Sequence, residues 1–233
     1  MPVCPRCGKE AQDASAAFCA YCGTPMPRAA APMPADVQDV LDKAAASSDP
    51  KKKYALLTEA EKLHPDSLEI AQELLYLGRL HERGGKNLDF SVIKCYLLHM
   101  YLTPRDFSPE KKQAMRQELF HHPQLLRCQQ LAPDGEGFTR EYLIRLSAEF
   151  AGLFLRGSST YMRTFFGIRM GGRAEKVLAE PAAFMLSNIH KDKELDGDER
   201  AMLYECFYRG YLSEIGGQSE LDRYLNAQGL PRP

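Results

Sequence analysis

The chain has 233 residues, 44% of them hydrophobic, and a formal net charge of -1 from 30 Lys and Arg against 31 Asp and Glu. That length supports one or two packed cores and excludes a large multidomain assembly. The near-neutral balance excludes a whole-protein attraction to nucleic acid or to an anionic membrane, and leaves only a local patch for either.

The first motif is two CxxC pairs, Cys4-Pro5-Arg6-Cys7-Gly8 and Cys19-Ala20-Tyr21-Cys22-Gly23, set eleven residues apart. One such pair can be a redox couple or chance, but two at this spacing can close a tetrahedral shell of four thiolates around a single Zn2+. Each pair forms a tight knuckle in which backbone N–H groups turn toward the sulfurs, and the Gly after each second Cys permits that turn without a Cβ clash. The stretches CPRCGK and FCAYCG, with small polar residues between them, resemble the short zinc-ribbon module at the N-terminus of many bacterial proteins. The resemblance implies a small β-hairpin-like module. Cys4, Cys7, Cys19 and Cys22 are the expected ligands of one structural zinc, and four cysteines leave no coordination position open for water or substrate. Zinc ribbons occur in proteins of many kinds, so the module assigns no role by itself. Disulfide use is the competing reading, weakened because nothing before Cys4 reads as a secretion signal.

Residues 24–35, TPMPRAAAPMPA, alternate Pro with small residues and read as an extended, semi-rigid spacer. The expected organisation is a ribbon over 1–23, this linker over 24–35, a helical-hairpin region over 36–132 and a C-terminal helical region over 133–233. From Asp36 onward the periodicity is helical and no alternating strand stands out, so the body is expected to be all-α.

Residues 37–46 form a short Ala-rich helix. Asp49-Pro50 supplies a cap followed by Pro at the first helical position, opening a helix that ends at His64-Pro65. Asp66 and Glu69 suggest a capping box for the next helix, whose apolar residues Ile70, Leu74, Leu77 and Leu80 recur at helical spacing until Gly84-Gly85. A fourth helix is expected over 89–102. Residues 55–82 resemble a tetratricopeptide-type helical hairpin. The next Pro-bounded turn, at Pro104, falls 39 residues after Pro65, longer than that family's period of about 34 residues, and its Trp-Leu-Gly start is missing. Stacked helical hairpins and a plain bundle both satisfy the pattern.

Ser108-Pro109 caps a helix to about Phe120, His121-His122-Pro123 breaks it, and a short helix continues to Leu131. His121 and His122 invite a metal reading with Cys128. Adjacent helical residues point about 100 degrees apart, however, and a His pair before Pro more often finishes a helix by bonding its last carbonyls. Residues 133–137 are a turn-rich loop, after which Thr139 is expected to cap an amphipathic helix with Leu143, Leu146, Phe150, Leu153 and Phe154 on one face. The run 142–155 is interrupted by Arg145 and Glu149, so it reads as a core helix and no membrane span is expected. Cys95, Cys128 and Cys206 sit in apolar helical patterns as small buried hydrophobes, which fits reduced thiols in a cytoplasmic protein.

The chain's one concentrated basic run carries Arg156, Arg163, Arg169, Arg173 and Lys176, interleaved with Tyr161, Phe165 and Phe166. Basic plus aromatic composition suits a single-stranded nucleic acid or another anion, because guanidinium groups pair with phosphates and rings stack on bases. The competing reading places the aromatics in the core with the Arg side chains lying over it.

Residues 192–198 have oxygen donors at alternate positions, as a calcium loop does, but the twelfth position is Leu203 where a bidentate Glu is needed. A helix N-terminus is the better reading. Leu203, Phe207 and Tyr211 then line up on one face, Gly216-Gly217 closes the helix, and Ser219 is expected to cap a final one to about Gln228. No fingerprint of hydrolase, metalloprotease, nucleotide or dinucleotide chemistry occurs. Carboxylates such as Glu149 and Glu205 read as Arg-paired or solvent-facing. The reading is a non-enzymatic adaptor for a protein partner, with nucleic-acid binding through Arg6, Lys9, Tyr21 and the basic run as the alternative.

Overall fold

A computed structural model describes residues 7–10, 21, 34–79, 97–102, 107–152 and 174–233. They belong to two compact units, Met1–Ala46 and Ser47–Pro233. Every regular element among the described residues is helical; of these residues, Glu10 is in an isolated β-bridge.

In the first unit, α1 spans Ala35–Ala46 with Asp36 in its first turn and Lys43 in its last, the charge order that complements the helix dipole. Lys43 pairs with Asp39, and Gln38 Nε2 donates to Asp42 Oδ1 at 2.8 Å, so the polar face is tied at one-turn spacing.

In the second unit the helix starts are largely set by cap residues. α2 (Pro50–Leu63) begins on Asp49, whose carboxylate accepts from the Lys51 amide. α4 (Pro109–Phe120) begins on Ser108, and both place Pro at N1, where the missing N–H costs nothing. α3 (Leu68–Arg79) follows α2 after a short turn and packs on it. Its cap is Ser67, whose Oγ accepts from the Ile70 amide at 3.3 Å. Asp66 therefore stands one residue too early for the predicted capping box, and Glu69 instead accepts from the Ser67 hydroxyl.

Three further starts differ from the sequence reading. α5 (Pro123–Leu131) is capped by the His122 ring, whose Nδ1 accepts from the Gln124 amide at 3.2 Å. His122 thus opens the following helix, while His121 ends α4 as expected, its backbone N–H donating to the Gln117 carbonyl. The His121 ring reaches Glu199 at 2.9 Å, and no metal cluster with buried Cys128 forms among the described residues. α6 (Gly135–Phe150) is capped by Asp134, not Thr139. Thr139 lies a turn inside, its hydroxyl donating back to the Gly135 carbonyl, so the helix takes in most of the predicted loop. α9 (Gln218–Ala227) starts from Gly217, which has no side chain to cap with, and Ser219 lies inside the first turn. α8 (Gly197–Glu214) does begin as expected, with Asp196 accepting from the Glu199 amide at 2.8 Å, so the acids near residue 196 serve a helix start.

α7 (Ala174–Lys191) has no counterpart in the sequence reading. Pro181 in its interior removes one hydrogen bond and crowds the carbonyl one turn back, at about 3 kcal/mol. Leu178, Ala179, Ala182, Ala183, Met185, Leu186 and Ile189 are all completely buried. Each large apolar side chain among them contributes about 1.5–3 kcal/mol, so packing outweighs the proline.

The core is one continuous cluster drawn from α3, the π-helical turn Leu98–Leu102, and α4 through α9. α6 and α8 share the most extensive interface, with Tyr142, Leu143, Leu146 and Phe150 facing Leu203, Phe207 and Tyr211. α7 packs on α8, α9 and the π-turn, and α5 bridges α3 to α6. Tyr101 of the π-turn is buried; its hydroxyl donates to Asp192 at 2.9 Å, and Asn188 donates to its carbonyl at 2.7 Å. Of the residues expected on apolar faces, Leu80, Leu153 and Phe154 lie outside the described residues, as do residues 89–96 of the expected fourth helix.

Candidate metal centre

Cys7 and Gly8 form the described part of the first knuckle. Cys7 is exposed, and Gly8 has φ +69°, the left-handed backbone that the residue after the second cysteine of a metal knuckle is expected to need. A Cβ on Gly8 would meet open space. Glycine is therefore required there by backbone conformation and not by crowding. This local geometry fits the donor set proposed from sequence, in which thiolates supply the soft ligands that zinc takes at tetrahedral sites.

A second observation links the two CxxC segments. Lys9 follows the first pair and Tyr21 lies between the cysteines of the second, and Lys9 Nζ sits 4.2 Å from the Tyr21 ring centroid. Two residues twelve positions apart are thereby held against each other, as a shared ion between their flanking cysteines would require. Tyr21 is 52% exposed, so ring and ammonium together present a cationic, aromatic face to solvent. Cys4, Cys19 and Cys22 lie outside the described residues.

Arg156, Arg163, Arg169 and Arg173 also lie outside them. Lys176, the last member of the basic run, is exposed in the first turn of α7. No helix among the described residues is long and apolar enough to cross a membrane.

The carboxylates singled out in the body are accounted for. Glu149 is exposed, and Glu205 is held by Arg140 and by Arg209 at 3.2 Å, with Glu136 on the other side of Arg140. Burial pushes the Cys128 and Cys206 thiols up to about 12, and their thiolates are correspondingly disfavoured.

One surface of the body was not singled out from the sequence. Leu230 is buried, the Tyr204 hydroxyl donates to the Pro231 carbonyl at 2.6 Å, and Arg232 pairs with Asp222 at 3.4 Å. Asp222 also accepts from the Tyr208 hydroxyl at 2.6 Å. The available signals were the tyrosines at one-turn spacing on α8 and the Pro-Arg-Pro sequence, but neither gives their meeting, which depends on how the chain turns after α9.

Residues 3–26, a stretch containing all four cysteines of the two pairs, match the zinc-ribbon domain family. The helical body has no family match, and no curated protein and no solved structure matches the chain. The N-terminal segment is thus a zinc-ribbon domain, a type that binds zinc, followed by a helical body.

Proposed function

We propose that this protein is an adaptor in which one structural zinc, held by Cys4, Cys7, Cys19 and Cys22, shapes a small recognition head, and the helical body carries further protein-binding surface. The observation that carries the reading is the contact of Lys9, beside the first CxxC pair, with the exposed ring of Tyr21, inside the second. A saturated thiolate shell gives the ion a role in shape alone, and the exposed cation and ring are groups typical of interface anchors. The test is capture of partners from native lysate by the full chain and by a chain lacking residues 1–34, with zinc content measured on both. The adaptor reading expects about one zinc per full-length chain and a protein partner captured by that chain and lost from the shorter one. Metal-free, reduced full-length protein, or identical capture by both chains, would overturn the assignment to the ribbon.

The same Lys9–Tyr21 pair favours nucleic-acid binding as the second reading, since a ring that can stack on a base lies beside a cation that can meet a phosphate. Titration of labelled single-stranded RNA and DNA at two salt concentrations separates the readings. Binding weakened by salt and by Arg163→Ala with Arg169→Ala supports nucleic acid.

A further inference from the structure

Residues 230–233 lie against α8 and α9. Gly229, at φ +67°, reverses the chain after α9. The Gly229 amide then donates to the Asn226 carbonyl and the Leu230 amide to the Leu225 carbonyl, at 3.1 and 3.0 Å. This turn lays Pro231-Arg232-Pro233 back across α8. There the segment meets three kinds of group: an apolar seat for Leu230, a tyrosine hydroxyl on a backbone carbonyl, and the Asp222 carboxylate on Arg232. The His190 ring stands edge-on to Tyr204 with centroids 5.8 Å apart and extends the aromatic wall. Pro231 and Pro233 form one wall of a cavity of about 420 Å3 whose other walls include His190, Arg200, Tyr204 and Glu205.

An apolar seat, a phenol that donates to a carbonyl, and a carboxylate for an arginine are together means by which an extended, proline-containing peptide can be recognised. The chain's own segment uses all three, and apart from the buried Leu230 it holds on lightly. Pro231, Arg232 and Pro233 are exposed, one neutral hydrogen bond contributes about 1 kcal/mol, and an ion pair open to solvent contributes less. A longer peptide offering the same groups can also fill the space that Pro231 and Pro233 now border.

We propose that this face is a docking site for an extended proline-rich peptide carrying an arginine between prolines, and that residues 230–233 are a strap that occupies the seat until such a peptide displaces it. The proposal extends the adaptor reading to a surface of the body and does not use the zinc. Loss of ribbon-dependent capture therefore leaves it standing, and its own failure leaves the ribbon's role intact.

The probe is a fluorescent peptide, Pro-Pro-Leu-Pro-Arg-Pro-Pro-Pro, titrated by anisotropy against the full chain, with Glu in place of its Arg as control. Arg232→Glu sets like charge against Asp222 and loosens the strap from an exposed position, so the fold persists. A chain lacking residues 230–233 releases the seat by a second route. Helical circular dichroism is recorded for each. Binding is expected to tighten about three- to five-fold in Arg232→Glu, the size of one exposed ion pair removed from the competitor. It is expected to weaken by a similar factor when Asp222→Asn is added to Arg232→Glu, and to vanish with the Glu peptide. No binding to any folded variant, equal binding to intact and strap-released chains, or indifference to Asp222→Asn would each overturn the proposal.

Discussion

Gly210 of α8 lies against Ser147 of α6 so closely that a Cβ built on the glycine would stand 2.6 Å from the Ser147 Cβ and equally close to the Ile144 carbonyl oxygen. The two helices cross where neither has room for more, and Ser147 is itself buried. Their approach sets how deeply Leu143, Leu146 and Phe207 interdigitate.

Gly210→Ala should therefore destabilise the body by about 1–3 kcal/mol or more, because the added methyl meets backbone that cannot yield without parting the helices. Gly78→Ala in α3 meets nothing within 4 Å and should stabilise by up to about 1 kcal/mol through helix propensity. Thermal unfolding followed by circular dichroism should move in opposite directions for the two; a shift of the same sign would show that the crossing is not tightly packed.

At the ribbon, Gly8→Ala forces a side chain into a left-handed conformation at about 1–2 kcal/mol, which amounts to a zinc affinity lower by about ten-fold. Competition with a chromogenic chelator measures it. Unchanged affinity would mean that the turn after Cys7 plays no part in holding metal. Cys7→Ser should abolish zinc binding while leaving most helical signal in place; collapse of that signal would show that ribbon and body fold as one.

Alkaline pH should unfold the body in a defined window. Burial raises the thiols of Cys128 and Cys206 from 9.0 to about 12 and the Tyr204 hydroxyl from 10.0 to about 12, and raises Tyr211 as well. In each case the neutral form is the one the fold accepts. The stabilisation is therefore complete below about pH 9, declines as pH rises through the unfolded values, and is gone above the folded ones. The urea midpoint should be lower at about pH 10.5 than at about pH 8, and a thiol-reactive dye should leave both cysteines unlabelled in the folded chain at the lower pH. Rapid labelling there would contradict their burial.

The caps give a fourth check. Asp196→Ala removes the carboxylate that receives the Glu199 amide and should cost about 0.5–2 kcal/mol. Ser219→Ala should change stability little, since the cap position of that helix belongs to Gly217. Equal losses from the two would argue that Ser219 does cap α9.

The amino-acid sequence by itself determined what depends on neighbours along the chain. Asp49-Pro50, Ser108-Pro109 and Asp196 start helices because cap chemistry acts within a turn. Gly8 takes its positive φ where a knuckle was expected for the same local reason. Tertiary structure alone decided what depends on distant partners. α7 keeps Pro181 because its apolar face packs on α8, α9 and the π-turn, a gain no local propensity reports. Gly210 became indispensable only when Ser147, far away in sequence, was laid against it. Tyr204 and Asp222 likewise became a seat for Pro231 and Arg232 only once Gly229 reversed the chain, since contact across helices is fixed by packing and not by spacing.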